Sequence, residues 1–275
     1  MKKILILPLI LICNILLGQN LSGIVLNEAD KKPIEYVNIG IINKDIGTVS
    51  DLDGKYSISI DSQFNEDTLM FSRIGYFPEK IKVADLKSKT NKKITLKEKD
   101  YELEEVTIKP NLFKEKTLGV TTKAKLIAAG FKNNRLGYEC GILMKTKKPT
   151  LLKNVNLNIS QCTYDTIYYR LNIYKVKGKK NFENILKKPI YVKRAGESIK
   201  GTINIDLQSK NILVDTDFLV TLEHVKDLEK GELYFCAGLF NKTYYRKTSQ
   251  GKWETKPVGI SISVDAEIKQ SANNL

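Results

Sequence analysis

The chain has 275 residues, 42% of them hydrophobic and 28% charged, with a formal net charge of +14. That length leaves room for one large or two ordinary domains. The 45 basic residues are spread along the chain with no concentrated stripe of interleaved aromatics, so the footprint of a nucleic-acid module is missing; the bland reading is a lysine-rich surface, with a weaker one of attraction to anionic glycans or an anionic envelope surface.

Residues 1–18 read as a secretory signal. Lys2 and Lys3 supply the positive start, Ile4 to Leu17 is apolar apart from Pro8 and Asn14, and Gly18 is the small residue at the cleavage position. Cleavage is expected between Gly18 and Gln19, and the apolar run falls short of the ~20 residues that span a bilayer. Cys13 follows Ile12 in the middle of that run, which does not suit a lipid-accepting cysteine. No other segment is long and apolar enough to cross a membrane, so the expected location is the periplasm, the outer-membrane periphery or the cell surface.

Downstream, short alternating runs broken by Gly, Asn, Asp and Lys clusters predict antiparallel sheets and very little helix. Within a first domain at residues 19–109, strands are expected at Ser22–Leu26, Tyr36–Ile42, Lys55–Ile60, Thr68–Ile74, Phe77–Val83, Lys92–Leu96 and Glu105–Ile108, with one helical turn around Val83–Leu86. Gly47 and Gly54 are expected in tight turns. Residues 110–122, charged and holding Pro110, read as a linker. A second domain at residues 123–269 shows strands at Gly137–Met144, Val155–Cys162, Ile167–Val176, Pro189–Val192, Ile199–Leu207, Phe218–Val225, Leu233–Leu239 and Gly259–Ile268, while Lys123–Phe131 suits a small strand or a helical turn. In Tyr169–Val176 the alternation sets Arg170, Asn172 and Tyr174 on the face opposite Leu171 and Ile173, the pattern of a sheet with one packed and one solvated side. Residues 270–275 read as a frayed tail.

Chemistry is sparse in the pattern. His224 is the one histidine, at the end of an apolar strand, and reads as structural. No GxSxG, HExxH or P-loop occurs, and Glu104 and Glu105 would point to opposite faces of a strand. Asp51 and Asp53 resemble the start of a calcium loop, but position 12 would be Ser62 where such a loop needs Glu; a turn in which aspartates cap backbone amides fits better. Beyond the signal stand Cys140, Cys162 and Cys236, without a CxxC, so at most one internal disulfide is expected, with Cys140 and Cys162 as its candidates. No metal site, cofactor or catalytic residue is assigned, and the chain is not expected to be an enzyme.

Five blocks in order carry a family resemblance: Gly23-Ile24-Val25; Lys32-Pro33-Ile34-Glu35-Tyr36-Val37-Asn38-Ile39; Ile46-Gly47-Thr48-Val49-Ser50-Asp51-Leu52-Asp53-Gly54-Lys55-Tyr56; Asp67 through Tyr76; and Leu96 with Leu103-Glu104-Glu105-Val106-Thr107-Ile108. Together they resemble the carboxypeptidase-regulatory-like domain of exported proteins from Bacteroidetes-type bacteria. The resemblance covers about residues 21–109 and implies a seven-stranded, transthyretin-like Greek-key sandwich that is an architectural module rather than an activity. The second domain is similar to a jelly-roll-like region of unknown function that follows such modules. The expected fold class is therefore all-β, two antiparallel sandwiches in series.

The leading expectation is a non-catalytic exported binding module at the cell envelope that takes carbohydrate, with Trp253, Tyr244 and Tyr245 as ligand-binding candidates because sugar rings stack on exposed aromatic faces. The alternative is a structural or protein-interaction component of the envelope, using sheet edges and loops to hold partners. Asp67-Thr68 and Asp165-Thr166 resemble short O-glycan acceptor sites and are candidates for modification.

Overall fold

The computed structural model describes residues 19–100 and 113–270. The expected signal at 1–18 including Gly18, the strand at Glu105–Ile108 and the tail beyond Gln270 lie outside these residues. The first domain contains β1 (Gln19–Asn27), β2 (Asn38–Ile41), β3 (Gly47–Val49), β4 (Lys55–Ile60), β5 (Thr68–Ser72), β6 (Glu79–Lys82), the short helix α1 (Val83–Ser88) and β7 (Lys93–Leu96). One sheet has the order β4-β1-β7 and the other β3-β2-β5-β6, which makes a seven-stranded sandwich. Pairing is antiparallel except for β1 and β7, which run parallel from Ile24–Lys93 to Asn27–Leu96.

The sequence reasons are local. In β4 the residues Tyr56, Ile58 and Ile60 are buried and alternate with exposed Lys55, Ser57 and Ser59. They share a core with Ile39, Leu69 and Phe71 from the other sheet and with Val37 just before β2, and Val83 and Leu86 of α1 close one end of this core. Each such side chain contributes about 1.5–3 kcal/mol by leaving water. Before β4, Asp51 forms the expected turn: its Oδ1 accepts from the amides of Asp53 and Lys55 at 2.9 and 2.8 Å. Gly54 sits there at φ +72°, a conformation L side chains rarely adopt.

The second domain comprises β8 (Phe113–Gly119), β9 (Ala128–Lys132), β10 (Glu139–Met144), β11 (Thr150–Cys162), β12 (Thr166–Gly178), β13 (Asn181–Asn184), β14 (Ile190–Ala195), β15 (Thr202–Asp206), β16 (Leu213–Val214), β17 (Phe218–His224), β18 (Glu232–Gly238), β19 (Thr243–Arg246), β20 (Glu254–Lys256), β21 (Gly259–Ile260) and β22 (Ile262–Lys269). A seven-stranded sheet has the order β13-β12-β17-β10-β19-β20, with β14 also on β12. It faces an eight-stranded sheet of order β21-β18-β11-β22-β8, with β15 and β16 also on β11 and β9 on β18. Leu152, Val155, Leu157, Leu171, Ile173, Val220, Leu222, Phe235 and Val264 fill the space between them. The fold is all-β, two sandwiches in series.

Four sequence expectations change. Residues 113–119, read as linker, are a strand that pairs with β22 along its whole length. Only Leu118 of this edge strand is buried, and its exposed Lys114, Glu115 and Lys116 give it a linker's composition. Gly47 is not in a turn; it lies in β3. The cysteines Cys140, Cys162 and Cys236 are free thiols, and Cys140 and Cys162 belong to opposing sheets. Finally, the side of β12 read as solvated is buried: Arg170, which meets Tyr36 and Asn38 of the first domain, is 2% exposed, and Asn172, bonded to Glu139, Glu223 and Asn184 of its own domain, is 1% exposed.

Candidate functional site

The outer face of the seven-stranded sheet carries most of the buried polar chemistry. Strand register sets four charged residues in one row across it. Arg246 of β19 is opposite Glu139 of β10, Glu139 is opposite Glu223 of β17, and Glu223 is opposite Arg170 of β12. Two like charges face each other in the middle, an arrangement that destabilises a sheet unless counter-charges flank it. Here they do. Arg170 Nη2 lies 2.8 Å from Glu223 Oε2, Arg246 Nη2 lies 2.6 Å from Glu139 Oε2, and the same Nη2 is 3.4 Å from Glu223 Oε1.

Neutral groups complete the row. Asn172 donates to Glu139 Oε1 at 2.8 Å and to Glu223 Oε2 at 2.9 Å, and the Tyr174 hydroxyl donates to Glu139 Oε1 at 2.8 Å. The Thr221 hydroxyl also donates to Glu139. The electrostatics are asymmetric. Burial pushes the Glu139 carboxyl above the usual range, Arg246 opposes that, and the neighbouring charge of Glu223 adds to the rise. Burial acts on Glu223 as well, but Arg170 and Arg246 together outweigh it and hold its carboxyl low. Both carboxylates are fully buried. Neither carboxylate is open to solvent in this arrangement.

The row ends in the first domain. Asn38 of β2 donates to Glu223 Oε1 at 2.8 Å and accepts from Arg170, and Arg170 Nη1 donates to the Tyr36 carbonyl at 2.8 Å. Tyr36 has φ +51° and packs its ring tilted against Tyr168 and edge-on to Tyr191, with centroids 5.4 and 5.6 Å away. Beyond the row, the segment 247–253 between β19 and β20 lies against β2, β3 and β5. The Asn43 amide donates to the Gln250 carbonyl at 2.9 Å, and the Gln250 side chain donates to Ser72 at 2.7 Å. A Cβ on Gly40 or Gly47 would stand 2.2 or 2.4 Å from the Ser249 carbonyl oxygen, which explains why both positions are glycine. The two sandwiches are joined by charge, aromatic packing and close backbone contact.

Residues 21–108 match the family model of the CarboxypepD_reg-like domain. The first sandwich is a CarboxypepD_reg-like domain. Comparison of the whole chain with curated proteins finds no match. The CarboxypepD_reg-like domain is a non-catalytic module, and in this chain it covers the Arg170 end of the charged row.

The predicted aromatic site falls partly together at the other end. Trp253 is half-buried, edge-on to Tyr174 at 5.9 Å and to Phe182 at 5.3 Å, with the Arg246 guanidinium 5.2 Å above its ring. Tyr244, also half-buried, meets the same Phe182 ring at 5.7 Å. Tyr245 points to the opposite face: it packs on Tyr138, donates to Glu254 at 2.8 Å and carries Lys256 over its ring. Adjacent residues on a strand must separate in this way. Phe182 was not singled out from the sequence, since a lone Phe in a Lys/Asn-rich hairpin gives no periodic signal.

The remaining candidates are simply placed. His224 is buried among Phe131, Tyr164 and Tyr169, and its Nε2 has no hydrogen-bond partner among the described residues. Thr166 is exposed and Thr68 half-buried at the start of β5. A groove of about 570 Å³ opens between residues 185–190 and 209–218, lined by Leu186, Ile190, Ile212 and Phe218 with Lys175 at the rim, and none of the aromatic candidates faces it. Among the described residues no group of three His, Cys, Asp or Glu side chains could hold a metal ion, and no helix is long and apolar enough to cross a membrane.

Proposed function

We propose that this protein is an exported, non-catalytic component of the cell envelope that works by binding, with the CarboxypepD_reg-like domain as a fixed support and the second domain as the presenting surface. The observation that carries this reading is where the reactive side chains are used. Glu139, Glu223, Arg170 and Arg246 are buried in a row that joins the domains rather than aimed at solvent. A molecule built in this way offers surfaces, and two sandwiches held together suit a protein-interaction component of the envelope.

A carbohydrate ligand is the second reading, and the half-exposed Phe182, Tyr244 and Trp253 favour it. They lie beside the exposed Asn181, whose amide suits sugar hydroxyls. One face of Trp253 is already taken by Arg246, so a sugar would use the opposite face and the edge of Tyr244. The experiment is a glycan array probed with the purified chain, Trp253→Ala and Tyr244→Ala, with thermal unfolding as the control for folding. Binding that both substitutions abolish in folded protein supports the carbohydrate reading. An empty array removes it, and cross-linking in envelope preparations then tests for a protein partner.

A further inference from the structure

One end of the second domain exposes large apolar side chains that neither packing nor turn chemistry explains. Phe240 is 100% exposed, Leu126 94% and Leu239 54%. They come from different segments that the sheet brings together. The Ala237 amide donates to the Ile127 carbonyl, so Leu126 is next to Gly238. Gly238 pairs in turn with Gly259, where a Cβ would touch Asn241. Residues 120–127, 238–242 and 256–259 therefore form one tip.

Two properties of this tip point to a ligand. Phe240 has φ +69°, a backbone conformation that Gly or Asn adopts at low cost and that is an outlier for a bulky residue. An aromatic ring is thus held at a strained position with no contact to the fold that compensates. Moreover, the tip is purely cationic. Lys123, Lys125 and Lys242 are exposed beside the three apolar residues, Lys256 being turned onto the Tyr245 ring, and the three segments contain no Asp or Glu. Exposed Phe and Leu ringed by lysine suit a surface whose outer layer is anionic and whose interior is hydrocarbon. A folded protein partner would need a more extended and shaped patch, and a soluble anion would have no use for the apolar residues.

We propose that this tip docks the protein on an anionic phospholipid surface, with Leu126, Leu239 and Phe240 entering the headgroup layer and Lys123, Lys125 and Lys242 meeting the phosphates. Docking is peripheral and reversible, since the apolar area is small and the attraction is screened by salt. The inference is independent of what the aromatic cluster at Trp253 binds.

The test is co-sedimentation of the full chain with vesicles of phosphatidylcholine alone and of equimolar phosphatidylcholine and phosphatidylglycerol. The wild-type protein should bind the anionic vesicles preferentially and release them as salt is raised. Leu126→Ser/Leu239→Ser/Phe240→Ser should lower the bound fraction by about tenfold or more with an unchanged unfolding midpoint, because all three side chains are exposed. All variants share the same N-terminus, so the apolar run at Ile4–Leu17 contributes equally to each. Phe240→Gly separates binding from folding: it should weaken sedimentation while leaving the fold equally or more stable, since glycine relaxes at this φ. Equal binding to both vesicle types, wild-type binding by the triple variant, or no binding of the wild type to anionic vesicles overturns the proposal.

Discussion

At His224 the imidazole is surrounded by Phe131, Tyr164 and Tyr169, and burial lowers its pKa to about 4. Between pH 4 and the unfolded value of 6.5 the unfolded chain holds more protons than the folded one. Stability from this residue is therefore complete above pH 6.5 and is lost as pH falls towards 4, by on the order of 3 kcal/mol in all. The expected outcome for His224→Leu is a much flatter dependence of the denaturant midpoint on pH across that window. A midpoint that falls as steeply as in the wild type would place the acid sensitivity elsewhere. The sequence showed this histidine clearly, because an apolar strand end leaves few other places for it. It did not show that Nε2 would lack a partner, since Phe131 of β9 and Tyr164 of the β11–β12 turn arrive from distant segments.

Strands matter here through the row they align. Arg246, Glu139, Glu223 and Arg170 come from four neighbouring strands, and each is ordinary within its own. Alternation in β12 put Arg170 and Asn172 on the face away from the core correctly, yet exposure does not follow from alternation when a second domain covers that face. A clue was available in composition: only five of the 45 basic residues are arginine, and Arg73, Arg170 and Arg246 of those five stand at the domain junction or in the row. Lysine serves the solvated surface, whereas the planar guanidinium serves buried pairing. Glu223→Gln leaves both arginines without their shared counter-charge, and a loss of about 3–5 kcal/mol in equilibrium unfolding is expected. A loss below about 1 kcal/mol would mean that Glu139 alone satisfies the row.

Across the whole molecule, the contacts of Asn38, Tyr36, Gln250 and Ser249 make the CarboxypepD_reg-like domain and the second sandwich one thermodynamic unit. Calorimetry should show a single transition whose calorimetric and van't Hoff enthalpies agree. Gly47→Val drives a side chain into the Ser249 carbonyl, which stands 2.4 Å from the position of the Cβ, and should split the transition in two. Two transitions already in the wild type would contradict the coupling. The number of domains and the identity of the first were legible because turn residues and apolar blocks are local. Their mode of association was not, since it depends on Gly40 and Gly47 meeting a carbonyl about two hundred residues later, at a distance in sequence that no period records.

The charged row also bears on how the chain finds its pairing during folding. A slip of one residue between β10 and β17 would turn a carboxylate of the row towards Leu171 and Val220, where no arginine waits. A slip of two in one direction would set Glu139 opposite Thr221 and Glu223 opposite Gly137, and in the other direction Glu139 opposite Val225 and Glu223 opposite Gly141, so the alternating polarity would no longer close. Apolar strands rich in Val, Leu and Ile tolerate such errors, because any aliphatic side chain can lie against any other. Four charges that balance in only one alignment do not, and they make a misaligned sheet costly enough to reopen before it becomes a trap.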